Sequence, residues 1–490
     1  MRSLDSFRQE LGHDGLLDRL RGGLLGRGVS VVLPYGILPL LYADDTASGR
    51  ALRQVEDWIA ENLLPFYANT HTEASFCGAY TSRLREDARR EIARLTGAGP
   101  DCSVIFTSSG ATAAVNKLTQ LLDVAGAVMR GKRAVVLIGP YEHHSNILPW
   151  RESGAEVIAI PEAAKGGPDM GALESALKDT ASTHVTIGAF SAASNVTGIL
   201  TDADAVTRLL NRYGASPVWD YAAAAPYLDM DMGFGPTAKQ AIFFSPHKFP
   251  GGPGASGVLV VRNAISQRDR PTQPGGGTVD YVNATDQDYS ASLIAREEAG
   301  TPNVPADVRA ALVMLIRDAL GQDTILKRDH ELRQRALRVW QANPNIELLG
   351  DPTTHDDALP IFAFRVRDAD TGGHIHHQLF TRILSDVCGI QARGGCACAG
   401  PYGHRLLGID ERSSKALRQR IKSGQELAKP GWIRLNVSHL MTDEEADTLI
   451  AGVDRMASEV LNYKQDYTCR PYTAHFENLK GVPQGNVFKA

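Results

Sequence analysis

Six short apolar runs follow one another through the middle of the chain, at residues 134–138, 156–160, 184–190, 217–220, 241–244 and 257–261. Runs of this length form buried strands. Helical patterns at 111–129, 170–177 and 202–213 lie between several of them. This alternation predicts an α/β domain with a mostly parallel sheet sandwiched by helices, because parallel neighbours need crossovers that lay helices on the sheet faces. Such sheets bind ligands in loops at the carboxyl ends of their strands. Two more helices, at 53–64 and 83–95, show apolar spacings of three and four.

After Pro305 a helical pattern runs to about residue 342, with a break near Gly321. The remainder reads as strand 360–365, helix 374–386, a glycine-rich loop, helix 415–427, strand 432–436 and helix 442–460. That is a smaller α+β domain. The expected division is an N-terminal arm or part of the small domain over 1–50, a large ligand-binding domain over 51–320, a small C-terminal domain over 321–460 and a tail over 461–490. The tail is polar with scattered aromatics and would wrap the surface or a partner subunit.

Composition narrows the class. Of 490 residues, 51 are Lys or Arg and 56 are Asp or Glu, for a net charge of −5. A nucleic-acid binder would carry a basic stripe, so no nucleic-acid partner is expected. The longest apolar stretch, 31–43, contains Pro34 and Pro39. A spanning helix needs about 20 apolar residues, so no membrane span is expected. The opening MRSLDSFRQELGHD lacks the apolar core of an export signal. Six cysteines in so long a chain make no disulfide framework, which points to the reducing cytoplasm.

Chemistry concentrates in a few loops. Phe244-Ser245-Pro246-His247-Lys248-Phe249-Pro250-Gly251-Gly252 places one lysine just after an apolar run. A buried lysine loses its charge readily, which suits bonding to a carbonyl cofactor. A solvated loop lysine is the alternative from this residue alone. Trp219-Asp220-Tyr221 ends an earlier run with an aspartate. Pyridoxal phosphate works as an electron sink when an acidic residue holds its ring nitrogen protonated. A strand-end aspartate otherwise caps a helix or forms a turn. Phe106-Thr107-Ser108-Ser109-Gly110-Ala111-Thr112 leads small residues into a helix. Free amides and the helix dipole favour a phosphate there, or the residues simply cap the helix. Gly252-Pro253-Gly254-Ala255-Ser256-Gly257 fits G-x-G-x-x-G but precedes a strand, which excludes a dinucleotide site.

In this order the motifs resemble those of fold-type I enzymes dependent on pyridoxal phosphate, in the class V aminotransferase group. Within it they are most similar to the cysteine desulfurase and selenocysteine lyase branch. The resemblance covers about residues 40 to 455. It implies a large domain with a mostly parallel, seven-stranded sheet, a smaller α+β C-terminal domain and pyridoxal 5'-phosphate as cofactor. Lys248 would hold the cofactor covalently, and Asp220 would pair with its ring nitrogen. His143, in Tyr141-Glu142-His143-His144-Ser145-Asn146, would stack on the ring and help move protons. Asn195 would lie near the phenolic oxygen, and Ala111, Thr112, Ser245 and His247 would contact the phosphate. Thr301, in Glu298-Ala299-Gly300-Thr301-Pro302-Asn303, would reach the phosphate of a neighbouring subunit, which implies a homodimer. Arg434 would grip the carboxylate of a small amino-acid substrate, a task that suits a guanidinium fork. A structural ion pair is the other role open to an arginine in that strand.

Arg393-Gly394-Gly395-Cys396-Ala397-Cys398-Ala399-Gly400-Pro401 fits the branch pattern R-x-G-x-x-C-A-x-P and places Cys398 at the nucleophile. Cys-x-Cys as a metal site lacks further ligands nearby, and a glycine-rich loop argues against packing. The resemblance implies that Cys398 takes sulfur as a persulfide, leaving alanine, with a sulfur-acceptor protein downstream. Three positions depart from the family: Ala223 stands where it has Gln, Ala113 where it has Glu, and Cys396, two before the nucleophile, where close relatives often have His. The expected enzyme is a cysteine desulfurase-like transferase. The alternatives are a C–S lyase, an aminotransferase or a specialised biosynthetic enzyme on the same cofactor, and a non-catalytic sulfur-carrier partner or scaffold.

Overall fold

The structure, a computed structural model, describes residues 3–70, 72–180, 183–350, 358–481 and 488–489. The chain forms two compact units. One comprises Met1–Gly23, Ser48–Ser194 and Leu200–Gln322, the other Leu24–Ala47, Asn195–Ile199 and Asp323–Ala490. Of the tail expected over 461–490, residues 482–487 and 490 lie outside the described residues.

The first unit is built on seven strands: Cys102–Thr107 (β1), Ala134–Ile138 (β2), Glu156–Ala159 (β3), Val185–Ser191 (β4), Ser216–Asp220 (β5), Ala241–Phe244 (β6) and Gly257–Arg262 (β7). They pair in the order β1–β7–β6–β5–β4–β2–β3. Neighbours from β6 to β3 are parallel, and β7 runs antiparallel to both β6 and β1. Six carboxyl ends therefore share one edge with the amino end of β7. Every residue of β2, Ala-Val-Val-Leu-Ile, is buried, as in a strand covered on both faces. The helix Gly110–Leu121 covers one face. Its Ala114, Val115, Leu118 and Leu121 pack with Val136, Ile138, Ile187, Val218 and Phe243. Each such aliphatic side chain contributes about 1.5–3 kcal/mol when fully buried. Gly188 points to the other face. A Cβ there would lie 2.5 Å from Leu210 of the helix Ala203–Arg212.

Several elements differ from the sequence pattern. The helix expected over 111–129 breaks at Asp123, whose φ of 50° is left-handed, and resumes as Val124–Met129. Strand β1 was not among the expected runs. Its core is only Val104-Ile105-Phe106, and it lies at the sheet edge. The helix expected from residue 83 begins at Phe76, capped by the Ser75 hydroxyl accepting from the Gly78 amide.

The second unit holds four antiparallel strands: Ile346–Leu348 (β8), Ile361–Val366 (β9), Arg393–Gly395 (β10) and Trp432–Asn436 (β11), in the order β8–β9–β11–β10. Ile433 and Leu435 of β11 join Phe362 and Phe364 of β9 beneath the helices His377–Cys388 and Asp443–Lys464. Side chains alternate along a strand, so Trp432, Arg434 and Asn436 point to the opposite face. The Asp443–Lys464 helix starts with a capping box between Thr442 and Glu445. The tail adds a hairpin, Tyr467–Arg470 with His475–Asn478, and Phe488–Lys489 pairs with Ser30–Leu33. No helix among the described residues is long and apolar enough to cross a membrane.

Candidate active site

Chemistry-bearing side chains gather in each unit separately. In the first, they stand at the shared edge of strand ends. Asp220 closes β5, in register with Ser191 of β4 on one side and Phe243 of β6 on the other. It is 5% exposed, and its Oδ1 accepts from the Ala222 amide at 2.7 Å. Burial pushes its carboxyl up to about 6, against the pull of that amide and of the Lys248 charge. Lys248 ends the turn Pro246–Lys248 just beyond β6 and is half-buried. Gly49 donates to the His247 carbonyl at 2.9 Å and Gly251 to the Arg50 carbonyl at 2.7 Å, so backbone bonds from residues 49 and 50 hold this loop.

Ser245 bridges the lysine loop and the next helix. Its Oγ accepts from the Ala111 amide at 2.9 Å. Gly110, with φ of 59°, leaves room for this approach: a Cβ would lie 2.7 Å from the Ser245 Oγ and 3.0 Å from His247 Cε1. Ser109 gives the helix no side-chain cap, and the other first-turn amides have no acceptor within the helix. With the Thr112, Ser245 and His247 side chains around it, this helix end suits an anion. His247 is held towards its neutral form by burial first and by the Lys248 charge second.

His143 is oriented by Ser145, whose amide donates to Nδ1 at 3.1 Å. The neutral imidazole therefore carries its proton on Nε2. The Ser145 hydroxyl lies 3.1 Å from the same nitrogen and 2.7 Å from the Thr112 hydroxyl, linking His143 to the anion-binding helix end. Glu142, one residue earlier, was not among the expected site residues. It is buried and accepts from the Ser191 amide at 2.8 Å, the Ser191 hydroxyl at 2.6 Å and the Asn146 amide at 2.5 Å. Burial pushes it up to about 7, and the neighbouring Asp220 charge adds to the rise. Thr301 stands apart from this set, exposed on the loop before the helix Val304–Leu320. Three residues earlier, Glu298 anchors that loop: it accepts from the Phe106 amide at 2.7 Å and pairs with Arg85 and Arg89.

In the second unit, β10 and β11 bring Arg393 and Arg434 opposite each other. Both guanidinium groups bind one carboxylate, Asp44, at 2.9 Å and 3.0 Å. Arg434 is 4% exposed and also donates to the Asn195 carbonyl at 3.2 Å. It is thus already seated by an ion pair, one of the two roles open to it. Asp44 lies about 390 positions away in the chain, and no local pattern points to it. The Asn195 side-chain amide donates to the Ala397 carbonyl at 2.9 Å, and its buried Oδ1 has no partner among the described residues. Cys398 follows on an exposed turn in which Ala397 and Cys398 have φ of 50° and 52°. Asn195, Cys398 and Arg434 are therefore brought together in the second unit, and Lys248, Asp220, His143, Ala111, Thr112, Ser245 and His247 in the first.

The first set fits pyridoxal phosphate. A buried carboxylate with a single amide donor and a nearby ammonium calls for a further cation, such as a protonated ring nitrogen. The helix end suits the phosphate, and Lys248 suits the aldehyde. No group of side chains among the described residues forms a metal site.

The model of the aminotransferase class-V family matches residues 41–449. A probable cysteine desulfurase of Streptomyces coelicolor is 30% identical over 370 residues, 74% of this chain and 84% of the relative. A probable cysteine desulfurase of Staphylococcus aureus is 29% identical over 368 residues, 74% of this chain and 84% of the relative. Among solved structures, the apo cysteine desulfurase of Thermococcus onnurineus superposes with a TM-score of 0.70 at 22% identity, covering 86% of this chain and 95% of that one. The cysteine desulfurase CsdA of Escherichia coli gives 0.67 at 21%, covering 86% and 95%. At these identities the structural likeness speaks for the fold, which is that of the fold-type I enzymes.

Proposed function

This chain belongs to the class-V aminotransferase family of pyridoxal phosphate-dependent enzymes, and we propose that it takes sulfur from L-cysteine, or from a related sulfur or selenium amino acid. The reaction is cysteine plus the Cys398 thiol giving alanine plus a Cys398 persulfide. Atoms and electrons balance, because the sulfur leaves carbon for sulfur and a proton takes its place on carbon.

Lys248 would hold the cofactor covalently, with Asp220 at the ring nitrogen and Ala111, Thr112, Ser245 and His247 at the phosphate. Asn195 would face the phenolic oxygen. When bound, pyridoxal phosphate supplies an electron sink for bonds broken at the substrate's Cα and Cβ. The chain's own groups do the rest. Lys248 Nζ moves the Cα proton, His143 Nε2 relays a second proton, and Arg434 fixes the substrate carboxylate. The Asp44 carboxylate holds the Arg434 fork at a set angle before substrate arrives. A homodimer in which Thr301 serves the neighbouring phosphate, and a protein that accepts the sulfur, complete the proposal.

The observation that carries it is the Asp220–Lys248 pair: a buried strand-end carboxyl and a half-buried lysine on the adjoining strand-end loop. The relatives' names direct the choice of substrate. The test is a product balance on the cofactor-loaded protein with L-cysteine, measuring alanine, pyruvate and sulfane sulfur together. With free sulfide measured alongside, alanine equal to the sum of sulfane sulfur and sulfide is expected, and Cys398→Ala should abolish all three while keeping the cofactor's absorbance. Pyruvate with ammonia would replace this reading with a lyase, a keto acid with a transaminase, and absence of all products with a scaffold.

A further inference from the structure

Two thiols, not one, stand on the Cys398 turn. Among the six cysteines, Cys396 and Cys398 are the exposed ones, and Cys77, Cys102, Cys388 and Cys469 are partly covered. The turn is tightly specified. Its amino side leaves β10, where the Gly394 carbonyl accepts from Gln378 at 2.9 Å. A Cβ at Gly394 would lie 2.8 Å from the Thr381 hydroxyl, so the strand is pressed onto the helix His377–Cys388. At the centre, the Ala399 amide donates to the Cys396 carbonyl at 3.1 Å and curls the backbone through Ala397 and Cys398. Asn195 fixes the Ala397 carbonyl at 2.9 Å. On the far side Ala399 is fully buried and starts the helix Gly400–Leu406.

Two successive non-glycine residues with left-handed φ cost about 1–2 kcal/mol each. Strain of this kind persists where the surroundings enforce it, and it clusters at functional sites. Its consequence here is geometric. Residues two apart in a curled turn have Cα atoms about 5.5 Å apart, as two 3.8 Å steps at a near-right angle dictate. That falls within the roughly 4.4–6.8 Å that a disulfide spans. An extended Cys-x-Cys strand would hold its two Cα atoms at the far limit of that range, with both side chains standing parallel on one face.

From this geometry, and resting on the Cys398 persulfide reading above, we propose that Cys396 is a resolving thiol that discharges the persulfide. The Cys396 thiolate attacks Cys398 Sγ. A new Cys396–Cys398 bond forms, the bond from Cys398 Sγ to the outer sulfur breaks, and the electron pair leaves with hydrosulfide. The Cys396 proton passes through water to the departing sulfide. The Cys396 sulfur is thereby oxidised to the disulfide level, which Cys398 Sγ already holds in the persulfide, as the outer sulfur is reduced to sulfide. An external thiol then reduces the disulfide and readies the turn for another cycle. Attack within one short turn has the advantage of high effective concentration over any dissolved thiol. The chain would thus deliver sulfur as sulfide under thiol supply, in addition to direct transfer to an acceptor.

The test is a single turnover of the cofactor-loaded, pre-reduced protein with less than one cysteine per chain and no added thiol. The reaction is acid-quenched, alkylated and digested, and the peptide 394–405 is weighed. In the wild type this peptide should be two hydrogens lighter than the dithiol and resist alkylation, with free sulfide matching alanine. In Cys396→Ser it should be one sulfur heavier at Cys398, and the sulfide release should be lost while alanine still forms. Wild type that keeps the sulfane sulfur on Cys398 with Cys396 alkylated, as in the variant, would overturn the resolving role and leave the persulfide reading intact. Absence of the extra sulfur from Cys398 in Cys396→Ser would overturn both.

Discussion

Arg434 shows how one residue type can satisfy two demands. Its guanidinium is buried against Asp44, which is shared with Arg393, so the fork is oriented before any substrate binds. A lysine at 434 would keep the charge and lose the fork. Arg434→Lys should raise KM for the amino acid about tenfold to a hundredfold while leaving cofactor absorbance unchanged. Initial rates against substrate concentration measure this, and a KM like the wild type's would remove Arg434 from substrate binding. Glu142 offers a second residue-scale test. Burial lifts its folded pKa to about 7, above its unfolded value. A carboxyl raised on folding favours the folded state when protonated, so that stability is present below about pH 5 and is lost as pH rises through about 7. Glu142→Gln removes the titration and keeps the shape. Relative to the variant, the cofactor-free wild type should lose on the order of 3 kcal/mol between pH 5 and pH 8, read by denaturant unfolding at each pH. Parallel pH profiles would show that Glu142 does not titrate in this range. Lys248, Asp220 and Cys398 stand out as candidates in the sequence because each sits in a short loop of unusual composition. Asp44 does not, because its role comes from a strand pairing that folding alone creates. Glu142 was half legible: it lies inside a motif whose histidine drew attention, and its spacing of four to Asn146 matches their bond.

At the scale of elements, the strands were readable because strands buried on both faces read as near-continuous apolar runs. That is why β2 and β4 to β7 emerged close to their observed limits; β3, the opposite edge strand and only partly buried, was marked by the apolar run 157–160, whereas β1, with a core of three residues, was not. The break at Asp123 escaped for another reason: a single left-handed residue interrupts a helix without disturbing its apolar spacing. Close packing between elements also sets what the anion-binding loop tolerates. A Cβ at Gly257 would lie 2.5 Å from the Gly110 Cα and carbonyl and 2.5 Å from the Thr107 hydroxyl, with backbone atoms that cannot step aside. Gly257→Ala should cost about 3 kcal/mol in urea unfolding and weaken cofactor binding. Gly276, with open space around its Cβ position, is the control, and Gly276→Ala should change stability by less than about 0.5 kcal/mol. Equal behaviour of the two variants would show that the Gly110–Gly257 contact does not hold the loop.

For the molecule as a whole, two different kinds of physics carry two jobs. The first unit uses a parallel sheet to line up strand ends, and so collects a carboxyl, a lysine, an imidazole and a helix end. The second uses an antiparallel sheet to place two arginines side by side and to launch a strained thiol turn from the same strand pair. Family membership and the overall class followed from the order of motifs along the chain, which no single motif could supply. The most direct test of the central claim, that Lys248 bonds the cofactor, is borohydride reduction of protein saturated with pyridoxal phosphate, followed by peptide mapping. One stable pyridoxyl group per chain, on Lys248 and absent from Lys248→Ala, is the predicted result. A label spread over surface lysines, or none at all, would contradict it.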